Sequence, residues 1–270
     1  MEKKKKIGLA LGSGGPRGLS HIGVIKVLEE NGIKPDIIAG SSIGALIGGA
    51  YIVLNSIEEV EKISLSTDMK TVLGILFDPT IKLGLIKGEK VTNFFQEKFG
   101  NPKIEELRTP FFPVATDFST GKPVVFKTGR FIETIRASIS IPFIFQPVAY
   151  RKKLLVDGGL SMQVPVEPLK EAGADVIIAV NLSENACNKE DYFANGLVRS
   201  PFGIYKLTVN AIGILEINLA RENCRDADVV ISPDVRNVGW DNFWKPKRVI
   251  EAGERAMKNA IPKLKKILET

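Results

Sequence analysis

The sequence predicts an α/β fold, with a mainly parallel central sheet flanked by helices. Three observations carry this expectation. Short apolar runs alternate with helix-patterned segments along most of the chain, and glycine-rich turns follow the first two runs. The 270 residues are 44% hydrophobic and 25% charged, a balance that buries one large core.

Residues 7–11 are a short, fully apolar run and predict a buried strand, closed by the turn Gly12-Ser13-Gly14-Gly15-Pro16-Arg17-Gly18. A helix over 21–28 follows, with His21, Val24, Ile25 and Leu28 on one face. Residues 35–39 predict a second buried strand and 45–54 a packed helix, with Gly40-Ser41-Ser42-Ile43-Gly44 at the turn between them. An apolar excursion follows at 72–77 and 81–86, interrupted by Gly74, Pro79 and Gly84; it reads as a lid or lipid-facing wall, or as a loop folded onto the sheet edge. Strands are expected at 112–118, 154–156, 176–182 and 229–232, with 124–127 in a local hairpin after Thr120-Gly121. Ile204, Leu207, Ile212, Leu215 and Leu219 form a stripe suited to a core or a dimer face, and Trp240, Phe243 and Trp244 a cluster that packs or meets a membrane interface. Residues 248–267 form an amphipathic helix with Val249, Ala252, Ala256, Ala260, Leu264 and Ile267 on one side, and Pro262 predicts a kink or break in it. No internal boundary is visible, so residues 1–270 are expected to form one domain, with a core of about 7–182 and a helical and strand extension of about 183–270.

Composition narrows the function classes. Cys187 and Cys224 form no spaced pair and support neither a zinc site nor a disulfide framework, so the chain reads as cytoplasmic. The lysines at 3–6 resemble a signal n-region, but the apolar run behind them is too short for one, and no segment approaches the ~20 apolar residues that span a bilayer. The net charge is +6, with lysines gathered at both ends, in 3–6 and at Lys263, Lys265 and Lys266. These ends are either a solvated surface or a peripheral contact with an anionic membrane. No basic stretch is interleaved with aromatics, so nucleic acid is not an expected partner.

Ser42 sits where a strand turns into a helix, with Gly40 and Gly44 leaving room for a tight crossing. Such a turn predicts a strained serine and an exposed hydroxyl at a helix N-terminus, where free N–H groups favour an oxyanion. Gly-x-Ser-x-Gly also makes ordinary caps and turns. The first glycine turn fits neither a dinucleotide loop, since Arg17 stands where a third glycine is needed, nor a Walker loop, which lacks its Gly-Lys-Ser/Thr. If the two strands are neighbours, Gly14 and Gly15 deliver N–H donors beside Ser42. The only histidine, His21, lies on an apolar helix face and reads as a packed residue rather than a base. Asp157, at the end of Leu154-Leu155-Val156 and followed by Gly158 and Gly159, is the best alternative base, although Asp-Gly-Gly also makes a plain hairpin turn.

The order of the Gly12–Gly18 loop, the Gly40–Gly44 elbow and Asp157-Gly158-Gly159, with Arg136-Ala137-Ser138-Ile139-Ser140-Ile141-Pro142 and Gly173-Ala174-Asp175, resembles the patatin-like phospholipase family over about residues 7–182. Ser13 and Pro16 depart from it, standing where many relatives have glycine and another small residue. The resemblance implies a three-layer patatin-like architecture, Ser42 as nucleophile, Asp157 as its base without histidine, and an oxyanion loop of Gly12, Gly14, Gly15 and Arg17 completed by the N–H of Ile43. It implies phospholipid or lysophospholipid esters as substrates, and no metal or other cofactor. An acyltransferase on the same residues and a non-catalytic lipid-binding module are the rival readings; the second has no need of Ser42 and Asp157 together.

Overall fold

The computed structural model describes residues 4–66, 86–184, 203–236, 238 and 246–269, with the backbone alone for 203–210. Residues 72–77 and 81–85 of the apolar excursion, Cys187, the side chains of Ile204 and Leu207, and the Trp240, Phe243 and Trp244 cluster lie outside the described residues.

One mixed sheet organises the molecule. Its strands are β1 (Ile7–Leu11), β2 (Ile37–Ser41), β3 (Phe111–Asp117), β4 (Pro123–Val125), β5 (Val148–Tyr150), β6 (Lys153–Asp157), β7 (Val176–Val180) and β8 (Val229–Ile231). They lie in the order β5-β6-β3-β2-β1-β7-β8, with β4 paired to β3. The run from β3 through β2, β1 and β7 to β8 is parallel. The β3 flank is antiparallel: β4 folds back as the expected hairpin, and β6 and β5 add a second one.

The helices are α1 (Ser20–Glu30), α2 (Ile43–Leu54), α3 (Ile57–Ser66), α4 (Glu89–Phe99), α5 (Phe131–Ser138), α6 (Glu167–Glu171), α7 (Gly203–Asn223) and α8 (Pro246–Glu269). Alternation along the strands divides the core into two faces. Leu9, Leu11, Ile38, Ile178 and Val180 pack against α1, α2 and α8, whereas Ala10, Ala39, Ile177 and Ala179 pack against Leu169 of α6 and Ala220 of α7. Helices on both faces of the sheet make the three layers. The α1–α8 crossing depends on glycine: a Cβ on Gly23 would lie 2.1 Å from Ile250 O, and one on Gly253 1.9 Å from Ser20 O.

One expectation is corrected here: Pro262 does not break the last helix. α8 continues through Pro262. Ile261 and Leu264 are buried on either side of it, and that packing offsets a proline penalty of about 3 kcal/mol. Ile212 and Leu215 of α7 are exposed, which excludes the core and leaves the dimer face for these two positions of the stripe.

The register places the chemistry. Leu11 pairs with Gly40, so the glycine loop and the serine turn leave the same carboxyl edge of the sheet. Ser41 pairs with Val114, and Ala115 with Asp157, so β3 brings the aspartate level with Ser42 from the other side. The basic ends lie at the opposite edge, where Lys6 enters β1 and Lys5 Nζ donates to Ile267 O at 2.7 Å.

Candidate active site

Ser42 is at φ 54°, ψ −123°, a conformation that costs a non-glycine residue roughly 1–3 kcal/mol. The neighbouring glycines make it possible. A Cβ on Gly40 would meet Ala45 N at 2.5 Å, and one on Gly44 would meet Leu11 O at 2.1 Å. The expected exposed hydroxyl is corrected: Ser42 is only 2% exposed. The turn does stand at the sheet edge, but α5, β6 and the glycine loop close over it.

Ser42 Oγ donates to Asp157 Oδ2 at 2.5 Å, across 115 residues of sequence. The other carboxylate oxygen, Oδ1, accepts the N–H of Gly159 at 2.8 Å. Asp157 does not make the hairpin turn that Asp-Gly-Gly allowed, because Gly158–Leu160 winds into a short 3-10 turn. A Cβ on Gly158 would lie 2.2 Å from Val114 O, and one on Gly159 2.5 Å from Ser13 Oγ, so both glycines permit close approach to neighbouring elements. Burial pushes the Asp157 carboxyl from an ordinary 3.8 to about 7, against the lowering effect of its bonds to Ser42 and Gly159, and the negative charge of Glu216 on α7 adds to the rise. Glu216 is itself raised by burial, against the opposing charge of Arg17. Sequence reasoning missed Glu216, since nothing local marks a helix glutamate as a neighbour of a strand end more than fifty residues away.

The glycine loop is more differentiated than expected. Gly12 N–H donates to Val180 O at 3.1 Å and Arg17 N–H to Gly14 O at 3.3 Å, so neither backbone group is open to an incoming oxygen. Arg17 Nε donates to Val238 O, which makes the side chain a brace for the loop. Among the described residues, the N–H groups of Gly14, Gly15 and Ile43 have no protein acceptor. Gly15 adopts φ 55° and opens the short 3-10 helix Gly15–Leu19, with Pro16 in its first turn, where its missing N–H costs nothing.

His21 is fully buried, with Nε2 2.8 Å from Gly12 O and Nδ1 without a partner among the described residues. Burial lowers the imidazole to about 4, so it is neutral near pH 7 and donates from Nε2 to the loop carbonyl. It is a packed residue that supports the loop, in keeping with its apolar helix face.

The C-terminal end of α5 and the residues just after it tie both halves of the pair together. Ser138 Oγ accepts the N–H of Ser42 at 2.9 Å and donates to Val114 O at 2.6 Å. Ser140 O accepts the N–H of Asp157 at 3.0 Å. Arg136 holds this segment in shape by donating to Ser140 Oγ, Lys87 O and Gln146 O, and burial lowers its guanidinium to about 10. The sequence marks residues 136–142 as a landmark without showing which hydroxyl meets the elbow. Ser138→Ala leaves the buried Ser42 N–H unpaired and is expected to destabilise the fold by about 1–3 kcal/mol in urea melts. Ser140→Ala, which keeps the backbone carbonyl that Asp157 uses, should cost less.

Comparison with known proteins identifies the family. A family model described as patatin-like phospholipase matches residues 9–170. An uncharacterized NTE family protein of Mycobacterium tuberculosis is 40% identical over 179 residues, 66% of this chain and 49% of that one. A second from the same species is 30% identical over 95% of this chain and 46% of its own. A protein named lysophospholipase NTE1 from Cryptococcus neoformans is 35% identical over 192 residues, 70% of this chain and 12% of that one. The chain thus spans about half the length, or less, of the curated relatives it matches. The crystal structure of VipD from Legionella pneumophila covers 97% of this chain and 67% of its own with a TM-score of 0.50 and 12% identity, a likeness of fold. Because the family match runs from β1 past the Asp157 strand to residue 170, this chain belongs to the patatin-like phospholipase family.

Proposed function

We propose that this chain forms a single patatin-like domain that hydrolyses acyl esters of phospholipids or lysophospholipids, with Ser42 as nucleophile and Asp157 as its base. The observation that carries the reading is the 2.5 Å bond from Ser42 Oγ to a buried carboxylate, at a strained turn beside three open N–H groups. The lysophospholipase name of the Cryptococcus relative supports the substrate class.

Asp157 takes the proton of Ser42 as Oγ attacks the ester carbonyl carbon. The N–H groups of Gly14, Gly15 and Ile43 receive the oxyanion, with the N-terminus of α2 adding its dipole. Collapse expels the alcohol, which takes the proton from Asp157 and leaves Ser42 acylated. Water then gives a proton to Asp157 and attacks the acyl carbon; the fatty acid leaves, and the proton returns to Ser42. A carboxyl with pKa about 7 suits this cycle, because both of its protonation states are accessible near neutrality.

The test compares native protein, Ser42→Ala and His21→Gln on a short-chain nitrophenyl ester and a lysophospholipid, with fluorophosphonate labelling. Ser42→Ala is expected to abolish labelling and to lower turnover by about 10⁴-fold or more. His21→Gln keeps a donor for Gly12 O and is expected to remain within about tenfold of native. A folded native chain that neither turns over nor labels would remove the catalytic reading.

A further inference from the structure

We propose that the rim of the sheet's carboxyl edge, formed by the β3–β4 and β5–β6 hairpin tips with Phe143, is a docking surface for an anionic phospholipid bilayer. The proposal rests on the lipid-ester reading of the site and specifies how that site meets its substrate.

Charge is the first observation. Residues 118–156 contain seven lysines and arginines and one acid, Glu133; Lys122, Arg151, Lys152 and Lys153 stand at the two hairpin tips, whereas Lys127 pairs with Glu171 and Arg136 is a buried brace. The terminal lysine clusters are balanced by acids elsewhere and lie at the far edge of the sheet, where Lys5 and Lys6 are tied to the carbonyls of Ile267 and Ala172. A membrane held by those ends would face away from Ser42.

The second observation is what the tips present. β3 and β6 continue past the pairing of Ala115 with Asp157, so Phe118 and Leu154 stand three residues, about 10 Å, beyond the dyad. They are 63% and 40% exposed and lie opposite each other, with Phe118 N–H donating to Leu154 O. Lys153 is neutralised by Asp117 at 3.4 Å, whereas exposed Lys122 and Lys152 have no acidic partner among the described residues. Arg151 is exposed with its guanidinium over the Tyr150 ring.

Third, this rim keeps its side chains at positions that disfavour them. Arg151 and Lys152 occupy the β5–β6 turn at φ 44° and 65°, where Asn-Gly is the usual choice. Phe143 is at φ 68° and 88% exposed, in the turn between Ser140, which bonds Asp157, and β5. Apolar tips interleaved with unpaired cations match a surface that is apolar a few ångströms down and anionic at the top. An acidic protein would satisfy the cations but leave the protruding phenylalanines in water. The height of the tips places Ser42 within about 10 Å of headgroup depth, the reach of one lipid glycerol region.

The test uses the full chain carrying Ser42→Ala, so that binding proceeds without turnover. It is co-sedimented with vesicles of phosphatidylcholine alone and with phosphatidylserine added. Binding is expected to rise with phosphatidylserine. Arg151→Ser/Lys152→Ser should weaken it by about thirtyfold and Phe118→Ser/Phe143→Ser by a similar factor, while Lys4→Ser/Lys265→Ser changes it less than about twofold. In the active background the same rim variants should keep native turnover of a soluble nitrophenyl ester. Equal binding to neutral and anionic vesicles, loss of binding in the terminal variant instead of the rim variants, or a dimer in sedimentation equilibrium that the Phe118/Phe143 change dissociates would each overturn the proposal. Failure of ester turnover with rim-dependent vesicle binding intact would count against the catalytic reading alone.

Discussion

Replacing Asp157 with asparagine is expected to lower turnover by about 10³–10⁴-fold and, at the same time, to stabilise the fold above neutral pH. Both effects follow from burial. The substituted amide would keep the geometry, its oxygen accepting from Gly159 and its nitrogen donating to Ser42, but it cannot take a proton. In the native chain the folded-state pKa of about 7 lies above the ordinary 3.8. Below about pH 4 the group is protonated in both folded and unfolded states and imposes no pH-dependent cost. Between about 4 and 7 the unfolded chain releases the proton while the folded chain retains it, so stability falls as pH rises; above 7 the loss is complete. The asparagine variant lacks that loss. Thermal melts from pH 4 to pH 8 should show the two proteins converging at the acid end and separating toward neutrality, with the variant higher. The catalytic counterpart is an acid limb: kcat/KM of the native chain should fall tenfold per pH unit below about 7, because only the ionised carboxylate accepts the serine proton. An Asp157→Asn protein with native turnover would exclude the dyad; one with lost turnover but no stability gain at pH 8 would exclude a carboxyl raised by burial.

The second large effect is expected at Gly44. A Cβ there would lie 2.1 Å from Leu11 O and 2.5 Å from Leu11 C, and both belong to a backbone fixed by pairing with β2 and β7. Neither neighbour can rotate away, so α2 or the glycine loop must shift. Gly44→Ala is expected to destabilise by roughly 3 kcal/mol or more, lowering Tm by about 6–12 °C for a chain of this size. It should also impair turnover in whatever fraction remains folded, because the loop that moves carries Gly14 and Gly15. Gly213, within α7, is the control. Nothing lies within 4 Å of its added Cβ, so Gly213→Ala should be neutral or stabilising by up to about 1 kcal/mol. Equal melting temperatures for the two variants would show that the elbow tolerates a side chain.

Much of this site is legible in the sequence because its constraints are local. β1 lies at 7–11, as its composition predicts, since five consecutive apolar residues ended by glycine suit a strand buried on both faces. The serine elbow is legible because a reversal this tight requires small residues two positions away on each side, and those glycines stand in the sequence. β2 lies two residues later than its apolar run predicts, at 37–41 instead of 35–39. Its last residues, Gly40 and Ser41, have little strand propensity and are held by their pairing with Pro113 and Val114. β5 is invisible in the sequence for a related reason: three residues, none of them buried, are too few to show a strand pattern and become a strand only against β6.

The sequence by itself determined the α/β class, the two glycine turns, the nucleophile candidate and the carboxylate that could serve it, because each is a short-range demand of backbone geometry on residue type. Tertiary structure alone decided which groups come together. It buried Ser42, raised Asp157, withdrew the N–H groups of Gly12 and Arg17 into backbone bonds, and set Ser138 under the elbow and Glu216 near Asp157. Each of those outcomes depends on desolvation and on distances between segments remote in the chain, and neither quantity exists until the sheet has assembled.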